Sequence, residues 1–395
     1  MKLERNWGRL GMKSKLSDIC SYRKEKIAVA ELDRENYIST ENMLPGKNGV
    51  TTATSLPTTI QTQKYAKGDI LVSNIRPYFK KIWFADKDGG CSNDVLVFKT
   101  KDGTDPRYLY YVLANDTFFE YSMATAKGTK MPRGDKKALM EYEVPDYDLN
   151  EQNKIADVLS PIDDKIRLNN KINKNLEEQL MALFSHSFAE DIAAASTDTC
   201  PALGDLVVII DNRGKTPPLT IETFDYPIID VGALKGTGRI IDFNNCTKFV
   251  NQSTYKSWFR SGHPKPWDIL ISTVGSLAEM KIFLGSKGCV AQNVVALRAT
   301  SISPLYLYQY LRLIRSDLVA YNIGSVQPSI KVTHIVKHPI FVPERSRLEA
   351  FEKIAKVLTN QLYDNYNENE LLKKLRDALL PRLMSGEINA STIGL

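Results

Sequence analysis

Long apolar runs, which a membrane-spanning protein needs, are missing from this chain. No stretch approaches the roughly 18–20 consecutive apolar residues of a membrane-spanning helix. The first 19 residues include basic side chains but no apolar h-region, so we expect no signal peptide. These absences argue against a membrane protein and favour a cytoplasmic one.

Cysteine is also scarce. The chain of 395 residues has five cysteines, and no two of them form a CxxC pair. Disulfide-rich secreted domains and zinc knuckles both need closely spaced cysteines, so neither class is indicated. We interpret Cys20, Cys91, Cys200, Cys246 and Cys289 as free thiols that are buried like small apolar side chains.

The motifs of nucleotide-driven and methyl-transferring enzymes are absent as well. There is no GxxxxGK[ST] phosphate loop, so a helicase or translocase motor is not supported. The segment VGALKGTG (Val231–Gly238) has only the glycines of a loop. The segment KTPPL (215–219) lacks the acidic or amide residue that should precede the prolines of a methyltransferase. We therefore predict no cofactor.

Two weaker patterns could suggest a metal site. Asp146, followed by Asp163 and Lys165, formally fits the PD…(D/E)xK pattern of nucleases, which places these side chains on adjacent strands so that they share a metal ion. Here Asp163 and Lys165 lie in a predicted helix, where successive positions do not converge. His334 and His338 are four residues apart, but two ligands without a third do not make a metal site. We predict neither a catalytic nor a metal site.

What the chain does have is an excess of positive charge in two separate blocks. Residues 1–148 carry 24 Lys and Arg against 20 Asp and Glu, and residues 197–345 carry 16 against 11. Residues 149–196 carry 5 against 8, and residues 346–395 carry 7 against 7. Two basic blocks on non-basic spacers are typical of a protein that grips a polyanion at two places.

The two blocks are copies of one unit, because short stretches recur in the same order 187–200 positions apart. The matching pairs are LSDI (Leu16–Ile19) with LGDL (Leu203–Leu206), GDILVSNIRP (Gly68–Pro77) with WDILISTVGS (Trp267–Ser276), CSNDVLVF (Cys91–Phe98) with AQNVVALR (Ala291–Arg298), DPRYLYYVL (Asp105–Leu113) with SPLYLYQYL (Ser303–Leu311), GTKMP (Gly128–Pro132) with GSVQP (Gly324–Pro328), and IADVL with IAKVL at Ile155 and Ile354. This period is far longer than the roughly 20–50 residues of solenoid repeats, so it indicates duplication of a whole domain with its trailing helix.

Each copy mixes strands and helices. The β-rich runs DILVSNI, DVLVF, DILISTV and VVALR predict strands. The segments that begin PRYLYYVL and PLYLYQYL predict helices with proline in the first turn. The predicted fold class is α+β, with two mixed α/β domains and two long helices.

Each mixed domain is followed by an amphipathic helix whose apolar stripe is interrupted halfway. Asn169 and Asn173 interrupt the first helix, and Asn365 and Glu368 interrupt the second. Because neither helix can bury its stripe alone, we predict an antiparallel coiled coil in which these polar residues meet and fix the register. The predicted pairing core is Leu159, Ile162, Ile166, Leu176 and Leu180 in the first helix, and Leu358, Leu372, Leu375 and Leu379 in the second.

Three segments resemble a known family. VPDYDLNEQNKIADVLSPIDDKI (144–166) is similar to the central conserved region, and LLKKLRDALLPRLMSGEI (Leu371–Ile388) to the distal conserved region, of specificity (S) subunits of type I restriction–modification systems. DNRGKTP (Asp211–Pro217) resembles the loop that often opens their target recognition domains. The first copy has CSYRKEKI (Cys20–Ile27) at that place instead, and the second copy lacks the pair present as Glu151-Gln152.

The resemblance implies a DNA-reading subunit that has no catalysis of its own. It implies target recognition domains over 1–148 and 191–345, a central conserved helix over 149–190 and a distal one over 346–395. The implied partners are double-stranded DNA, two methyltransferase (M) subunits and, through them, restriction (R) subunits. Each domain would read one half of an asymmetric split target, and about 50 Å of helix would set a gap on the order of 10–15 base pairs.

Basic and amide side chains in glycine-containing loops are the candidates for DNA contacts, because such loops let a backbone approach phosphates and base edges. They are Arg76, Lys80, Lys81, Lys127, Lys130 and Arg133 in the first copy and Arg213, Lys215, Lys235, Arg239 and Gln327 in the second. We interpret Trp83, Trp258, Phe259 and Trp267 as core residues rather than base-stacking ones. The alternative hypothesis is a helical scaffold for protein partners on which the basic surfaces are incidental.

Overall fold

The protein is described here from Lys13 to Ile393 in a computed structural model. It divides into two compact units that do not follow the chain order. Unit 1 combines the chain up to Ile166 with the segment from Leu371 onwards, and unit 2 is Arg167–Glu370. Both units mix helices and sheets, as the α+β prediction requires.

Unit 1 is built on a four-stranded antiparallel sheet. Its strands run in the order β2–β9–β6–β7, beside a second sheet β3–β5–β8–β4 and the pair β1–β10. The strands are β1 (Lys13–Lys15), β2 (Cys20–Tyr22), β3 (Lys26–Ala28), β4 (Tyr37–Ile38), β5 (Gln61–Tyr65), β6 (Ile70–Ser73), β7 (Ile82–Phe84), β8 (Gly89–Cys91), β9 (Val95–Thr100) and β10 (Glu143–Pro145). The helices that begin in this unit are α1 (Leu16–Ile19), α2 (Pro106–Ala114), α3 (Asp116–Ala124), α4 (Lys136–Met140) and α5 (Leu149–Ala194).

Unit 2 repeats this plan. Its antiparallel sheet has the order β11–β17–β14–β15, and a smaller sheet has the order β13–β12–β16. The strands are β11 (Val207–Ile210), β12 (Tyr226–Ile229), β13 (Phe249–Val250), β14 (Ile269–Ser272), β15 (Met280–Ile282), β16 (Cys289–Val290) and β17 (Val294–Ala299). The helices are α6 (Leu203–Leu206), α7 (Val231–Leu234), α8 (Gln252–Ser257), α9 (Pro304–Leu313), α10 (Arg315–Ala320), α11 (Val332–Ile335) and α12 (Arg345–Met384), whose last residues belong to unit 1.

The duplication read from the sequence is confirmed by the sheets. Strands β6 and β14 are both central, both flanked by antiparallel neighbours, and both fully apolar up to a terminal serine. The smaller sheets also share a parallel pair, β4 with β8 and β12 with β16. In both units an Asp or Ser caps the helix after the sheet, and a proline occupies that helix's first turn.

The two long helices pack together, and their paired residues run antiparallel. Within unit 2, Asn169 donates a hydrogen bond to Asn369 (3.0 Å) and another to Glu368 (2.7 Å). Asn365 donates to Asn173 (2.8 Å), so the residue number rises along α5 as it falls along α12. The prediction that polar residues of both helices meet in one layer is therefore confirmed.

The predicted pairing core is only partly the buried one. In α5, Leu159, Ile162, Ile166, Leu176 and Leu180 are all buried. In α12, Leu358, Leu372 and Leu379 are half-buried, and the assignment of Leu375 to the core is wrong because its side chain is 49% exposed. The buried residues of α12 are Phe351, Ala355, Thr359, Leu362, Asn365, Asn369, Arg376, Leu380, Leu383 and Met384.

The error has a physical cause. Helix α12 carries two adjacent stripes, and the one that looks apolar in sequence includes Ile354 and Leu375, which are about half exposed. The stripe that is buried is interrupted by polar residues, among them Arg376, whose guanidinium pairs with Asp163 of α5 within unit 1 (2.8 Å). The amphipathic pattern of the buried stripe is therefore not apparent in the sequence.

Candidate nucleic-acid interface

Three segments of unit 1 that are distant in sequence meet at one end of β6. We call them loop surface 1, which consists of Asn74–Arg76, Ser92–Asp94 and Lys127–Arg133. The backbone N–H of Asn74 donates to the carbonyl of Asp94 (2.8 Å), and the N–H of Arg76 donates to the carbonyl of Pro132 (2.8 Å). Backbone bonds thus hold all three segments in one place, whatever their side chains are.

The third segment is a closed loop that presents cations. Lys127 and Arg133 exchange backbone hydrogen bonds (2.9 and 3.0 Å), so the residues between them project as a short loop. The side chains of Lys127, Lys130 and Arg133 are exposed. Lys127 contacts Asp135 (2.6 Å), which lowers the pKa of that carboxyl to about 2, and Arg133 contacts Asp94 (3.0 Å). Exposed ion pairs of this kind are weak, so these cations can exchange their partners for phosphates.

Unit 2 builds the same arrangement, which we call loop surface 2. It consists of Thr273–Gly275, Ala291–Asn293 and Ile323–Ser329. Thr273 donates its N–H to the carbonyl of Asn293 (2.8 Å), Gly275 donates to Pro328 (2.9 Å), and Ile323 donates to Ser329 (2.9 Å). These three bonds have counterparts in loop surface 1, but the N–H of Ser329 donates to the side-chain oxygen of Asn322 (2.9 Å) and not back to Ile323.

The side chains of loop surface 2 differ in kind. Its three segments contain no Asp, Glu, Lys or Arg. They offer the exposed amide of Gln327 and the almost fully exposed side chain of Val326 (98%). The amide of Gln292 donates to the hydroxyl of Thr216 (2.8 Å), which brings in the DNRGKTP loop with the exposed cations Arg213 and Lys215.

The other predicted contact residues lie elsewhere, and one of them is wrong. Arg239 is completely buried (0% exposed). Its guanidinium pairs with Glu177 of α5 (2.9 Å) and donates to the hydroxyl of Thr359 of α12 (3.0 Å). Arg239 therefore anchors its loop to the long helices of unit 2 and cannot reach DNA, whereas the nearby Lys235 is exposed.

Two of the predicted contact lysines lie directly before β7 and have structural partners. Lys80 pairs with Asp116 (2.9 Å), and Lys81 donates to the carbonyl of Thr40 (2.6 Å). Burial lowers the pKa of Lys81. Both side chains are half-buried, so they support the loop more than they present charge.

The sequence analysis missed two turns that complete the surfaces. The turns Ser92–Asp94 and Ala291–Asn293 each accept a backbone hydrogen bond from the residue that follows the central strand, Asn74 or Thr273. Both lie in the recurring stretches CSNDVLVF and AQNVVALR, for which only the strands DVLVF and VVALR are predicted above. The signal was the polar pair before each strand, Asn93-Asp94 and Gln292-Asn293, because such side chains are seldom buried.

Thiols and imidazoles do not form a chemical centre in the described part of the chain. No group of three or more His, Cys, Asp or Glu residues between Lys13 and Ile393 has a metal-binding arrangement. Cys20, Cys91, Cys246 and Cys289 are buried, and burial raises the pKa of each thiol to about 12. His338 instead shares a hydrogen bond with the hydroxyl of Tyr321 (2.9 Å).

The outer faces of the long helices form a second kind of surface, because they expose large apolar side chains. In unit 2 these are Leu168, Ile172, Met181, Ile354 and Val357, and in unit 1 they are Leu149, Leu371 and Leu375. Exposed apolar residues concentrated on one element are typical of protein–protein contacts. Between Lys13 and Ile393, none of the helices has both the length and the apolar character needed to cross a membrane.

Comparison with known proteins finds similarity to one family. Residues 11–178 match the family model described as the type I restriction modification DNA specificity domain. The MjaIX specificity subunit of Methanocaldococcus jannaschii is 26% identical over 74% of this chain and 71% of its own length. The HindI specificity subunit of Haemophilus influenzae is 25% identical over 82% of this chain and 87% of its own.

A solved structure shares the fold. The S subunit of a type I restriction–modification system from M. genitalium superimposes with a TM-score of 0.54 at 18% sequence identity, and the match covers 97% of this chain and 98% of that one. Residues 11–178 therefore match the type I restriction modification DNA specificity domain, and the chain is similar to type I specificity subunits over most of its length.

Proposed function

We propose that this chain reads a bipartite DNA target, one half with each loop surface, for a type I restriction–modification complex. The observation that carries the proposal is that two surfaces with the same backbone connections have different side chains. A shared scaffold with interchangeable side chains is what two related readers of different half-sites need. The recognition domains would be residues 1–148 and 191–345.

The chemistry of each surface suits a different part of DNA recognition. Lys127, Lys130 and Arg133 can neutralise phosphates, which supplies affinity without sequence information. Gln327 can form paired hydrogen bonds with an adenine edge, which supplies discrimination. Lys215, in the loop that Gln292 contacts through Thr216, can take the phosphate role in unit 2. The asymmetry predicts an asymmetric target.

We further propose that the exposed apolar faces of α5 and α12 bind methyltransferase subunits, two copies in all, which in turn recruit restriction subunits. The chain itself would neither methylate nor cut DNA, and it would need no cofactor. Its place would be the cytoplasm, where the DNA it reads is found.

Selection from a random DNA library tests the proposal. The chain is purified together with its methyltransferase subunit, and bound or methylated DNA is sequenced. We expect two short motifs separated by a fixed gap. The absence of any enriched motif would contradict DNA reading and favour the helical scaffold.

Two additional measurements separate the parts of the proposal. The chain alone, incubated with S-adenosylmethionine and target DNA, should transfer no methyl group; transfer would contradict the non-catalytic role.

Replacement of residues 1–148 with another recognition domain should change one half-site and leave the other intact. A change in both half-sites would contradict independent reading.

A further inference from the structure

Arg76 has a backbone conformation that its residue type does not favour. Its φ is 51°, in the left-handed region that side chains with a Cβ rarely adopt. The matching position of unit 2 is Gly275, with a φ of 87°, and both N–H groups donate to the proline of the neighbouring loop. The fold therefore needs a left-handed residue here, and glycine meets that need. Unit 1 carries an arginine in spite of the strain.

Within Lys13–Ile393, Arg76 has no carboxylate partner, unlike three other arginines of unit 1. Arg23 pairs with Asp69, Arg107 pairs with Asp105, and Arg133 pairs with Asp94. The Nε of Arg76 is buried, yet it has no hydrogen-bond partner within Lys13–Ile393. A buried donor without an acceptor is costly for the folded chain. The strained backbone and the unsatisfied donor are therefore two independent reasons why this arginine does not stabilise the fold.

The surroundings of Arg76 suit a nucleic-acid base better than a carboxylate. The aromatic rings of Tyr78 and Phe79 follow it, with their centroids 4.7 Å apart, and both side chains are exposed. Met131, in the projecting loop next to the proline that holds Arg76, is exposed as well. Asp94, an acceptor on the same surface, is already paired with Arg133. An arginine with an unsatisfied donor, which is followed by two exposed rings and joined through its backbone to a cationic loop, suits an electron-rich planar edge.

We infer that Arg76 is a specificity-determining residue that donates its guanidinium fork to a guanine of the half-site read by unit 1. The inference rests on the proposed function. Guanine is the base chosen because its O6 and N7 accept the two parallel donors of an arginine, which is the commonest specific contact in the major groove. Lys127 and Lys130 would contact the phosphates on either side. Unit 2, with Gly275 at this position, would have no equivalent requirement.

The experiment uses the complex of the full chain with its methyltransferase subunit. Wild type, Arg76→Gly, Arg76→Lys and Lys67→Ala are compared by library selection and by their melting temperatures. Lys67 is a matched control because it is an exposed cation that precedes β6, at the opposite end of that strand from Arg76. Arg76→Gly removes the side chain and also relieves the left-handed strain, so misfolding should not obscure the result.

Arg76→Gly should relax one guanine position of one half-site, with a loss of about 10–100-fold in discrimination, and leave the other half-site unchanged. Its melting temperature should equal or exceed that of wild type. Arg76→Lys should retain much of the affinity but lose discrimination at the same position, because lysine has no fork. Lys67→Ala should resemble wild type.

Three outcomes would overturn the inference. An unchanged guanine preference in Arg76→Gly would show that this side chain reads no base. If Arg76→Gly weakens binding equally on all DNA sequences and Arg76→Lys restores it, the contact is to a phosphate instead. A large fall in the melting temperature of Arg76→Gly would show a structural role. In each case wild type would still select a bipartite motif, so the proposed function would stand; only a wild type without any motif would remove both.

Discussion

Loop surfaces 1 and 2 have similar backbone hydrogen bonds, but the first is cationic and the second is uncharged. The seven residues Lys127–Arg133 include three cations, whereas the seven residues Ile323–Ser329 include none. Yet both loops are closed by hydrogen bonds between their ends, and both are held through a proline carbonyl to the segment after the central strand. The difference teaches that the position of a loop and its charge are separable here, because the loops are anchored by backbone atoms and the charges are on side chains.

Glycine and proline keep the two loops alike. Gly128 has a φ of 90°, where other residues are strained. At Gly324 a Cβ would come within 1.8 Å of the carbonyl oxygen of Gln327, so there is no room for a side chain. The two glycines are needed for different reasons, but each allows the turn. The positions between glycine and proline are free to vary, and these are the ones that differ in charge.

The units also differ in how a buried arginine meets the long helices. In unit 1, Arg376 lies on α12 and pairs with Asp163 of α5, whose carboxylate also accepts from the hydroxyl of Tyr111 (2.9 Å). In unit 2 the arginine is Arg239, which comes from the loop after α7 and pairs with Glu177 of α5. The loop of unit 2 is thus tied directly to its helix by a buried charge pair.

Glu177→Ala should have the largest effect on stability, because it leaves the fully buried Arg239 without its carboxylate. Breaking one side of a buried ion pair costs about 3–5 kcal/mol. We expect a loss of this size in the free energy of unfolding, measured by urea titration. Glu178→Ala is the matched control, since Glu178 is the exposed neighbour and its removal should cost less than about 0.5 kcal/mol. Equal effects of the two variants would contradict the anchoring role of Glu177.

The second prediction concerns which stripe of α12 packs on unit 1. Leu380 is buried (2% exposed) in the same apolar cluster as Leu159, whereas Leu375 is half exposed. Leu380→Ala should cost about 2–5 kcal/mol, through lost burial and a residual cavity. Leu375→Ala should cost less than about 0.5 kcal/mol. If Leu375→Ala is the more destabilising of the two in the isolated chain, the stripe read from the sequence is right after all.

These cases show what could be predicted from the sequence. The duplication, the mixed units and the polar layer of the helix pair were all predictable, because each leaves a local or periodic pattern. Asn169 and Asn365, for example, interrupt apolar stripes at matching depth. Such patterns depend on neighbours within a few residues or on recurrence, and both can be read from one chain.

What could not be predicted depends on contacts between distant residues. Arg239 follows a glycine and resembles an exposed loop cation, and only its contact with Glu177, 62 positions away, makes it a core residue. The loop surfaces could not be predicted for the same reason, since they depend on backbone bonds that join Arg76 to Pro132 and Asn74 to Asp94. Composition alone could mark the cations but could not say which of them share a surface.

Exchanging the two projecting loops would test the comparison of charge directly. Replacing Lys127–Arg133 with IGSVQPS keeps the length, glycine and proline but removes three cations. DNA affinity should fall about 10–100-fold, and the slope of log affinity against log salt should decrease by up to about 2.7, or ~0.9 for each lost phosphate contact. The reverse exchange, KGTKMPR into unit 2, is the matched control and should steepen the slope. An unchanged slope in both variants would mean that these loops do not meet phosphates.

The smallest expected effect is a pH dependence of stability that comes from Lys281 of β15. Its matching position in unit 1 is Trp83 of β7. Each pairs with the second residue of the central strand, Leu71 or Leu270. Lys281 is buried, and its Nζ donates to the carbonyls of Gly236 and Gly238. Burial lowers the pKa of Lys281 to about 8, and the nearby Arg312 adds to the lowering while Glu177 opposes it.

The sign of the pH dependence follows from this shift. Between about pH 8 and the ordinary lysine value of 10.5, the unfolded chain holds the proton that the folded chain has released, so the contribution of Lys281 to stability rises with pH. Lys281→Met removes the titration. We expect the free energy of unfolding of wild type, minus that of Lys281→Met, to rise by about 1 kcal/mol between pH 8 and pH 9. The difference is the quantity to measure because the buried thiols, whose pKa values are raised, act in the opposite direction and are present in both proteins. A difference that stays constant with pH would show that Lys281 keeps its charge in the folded unit.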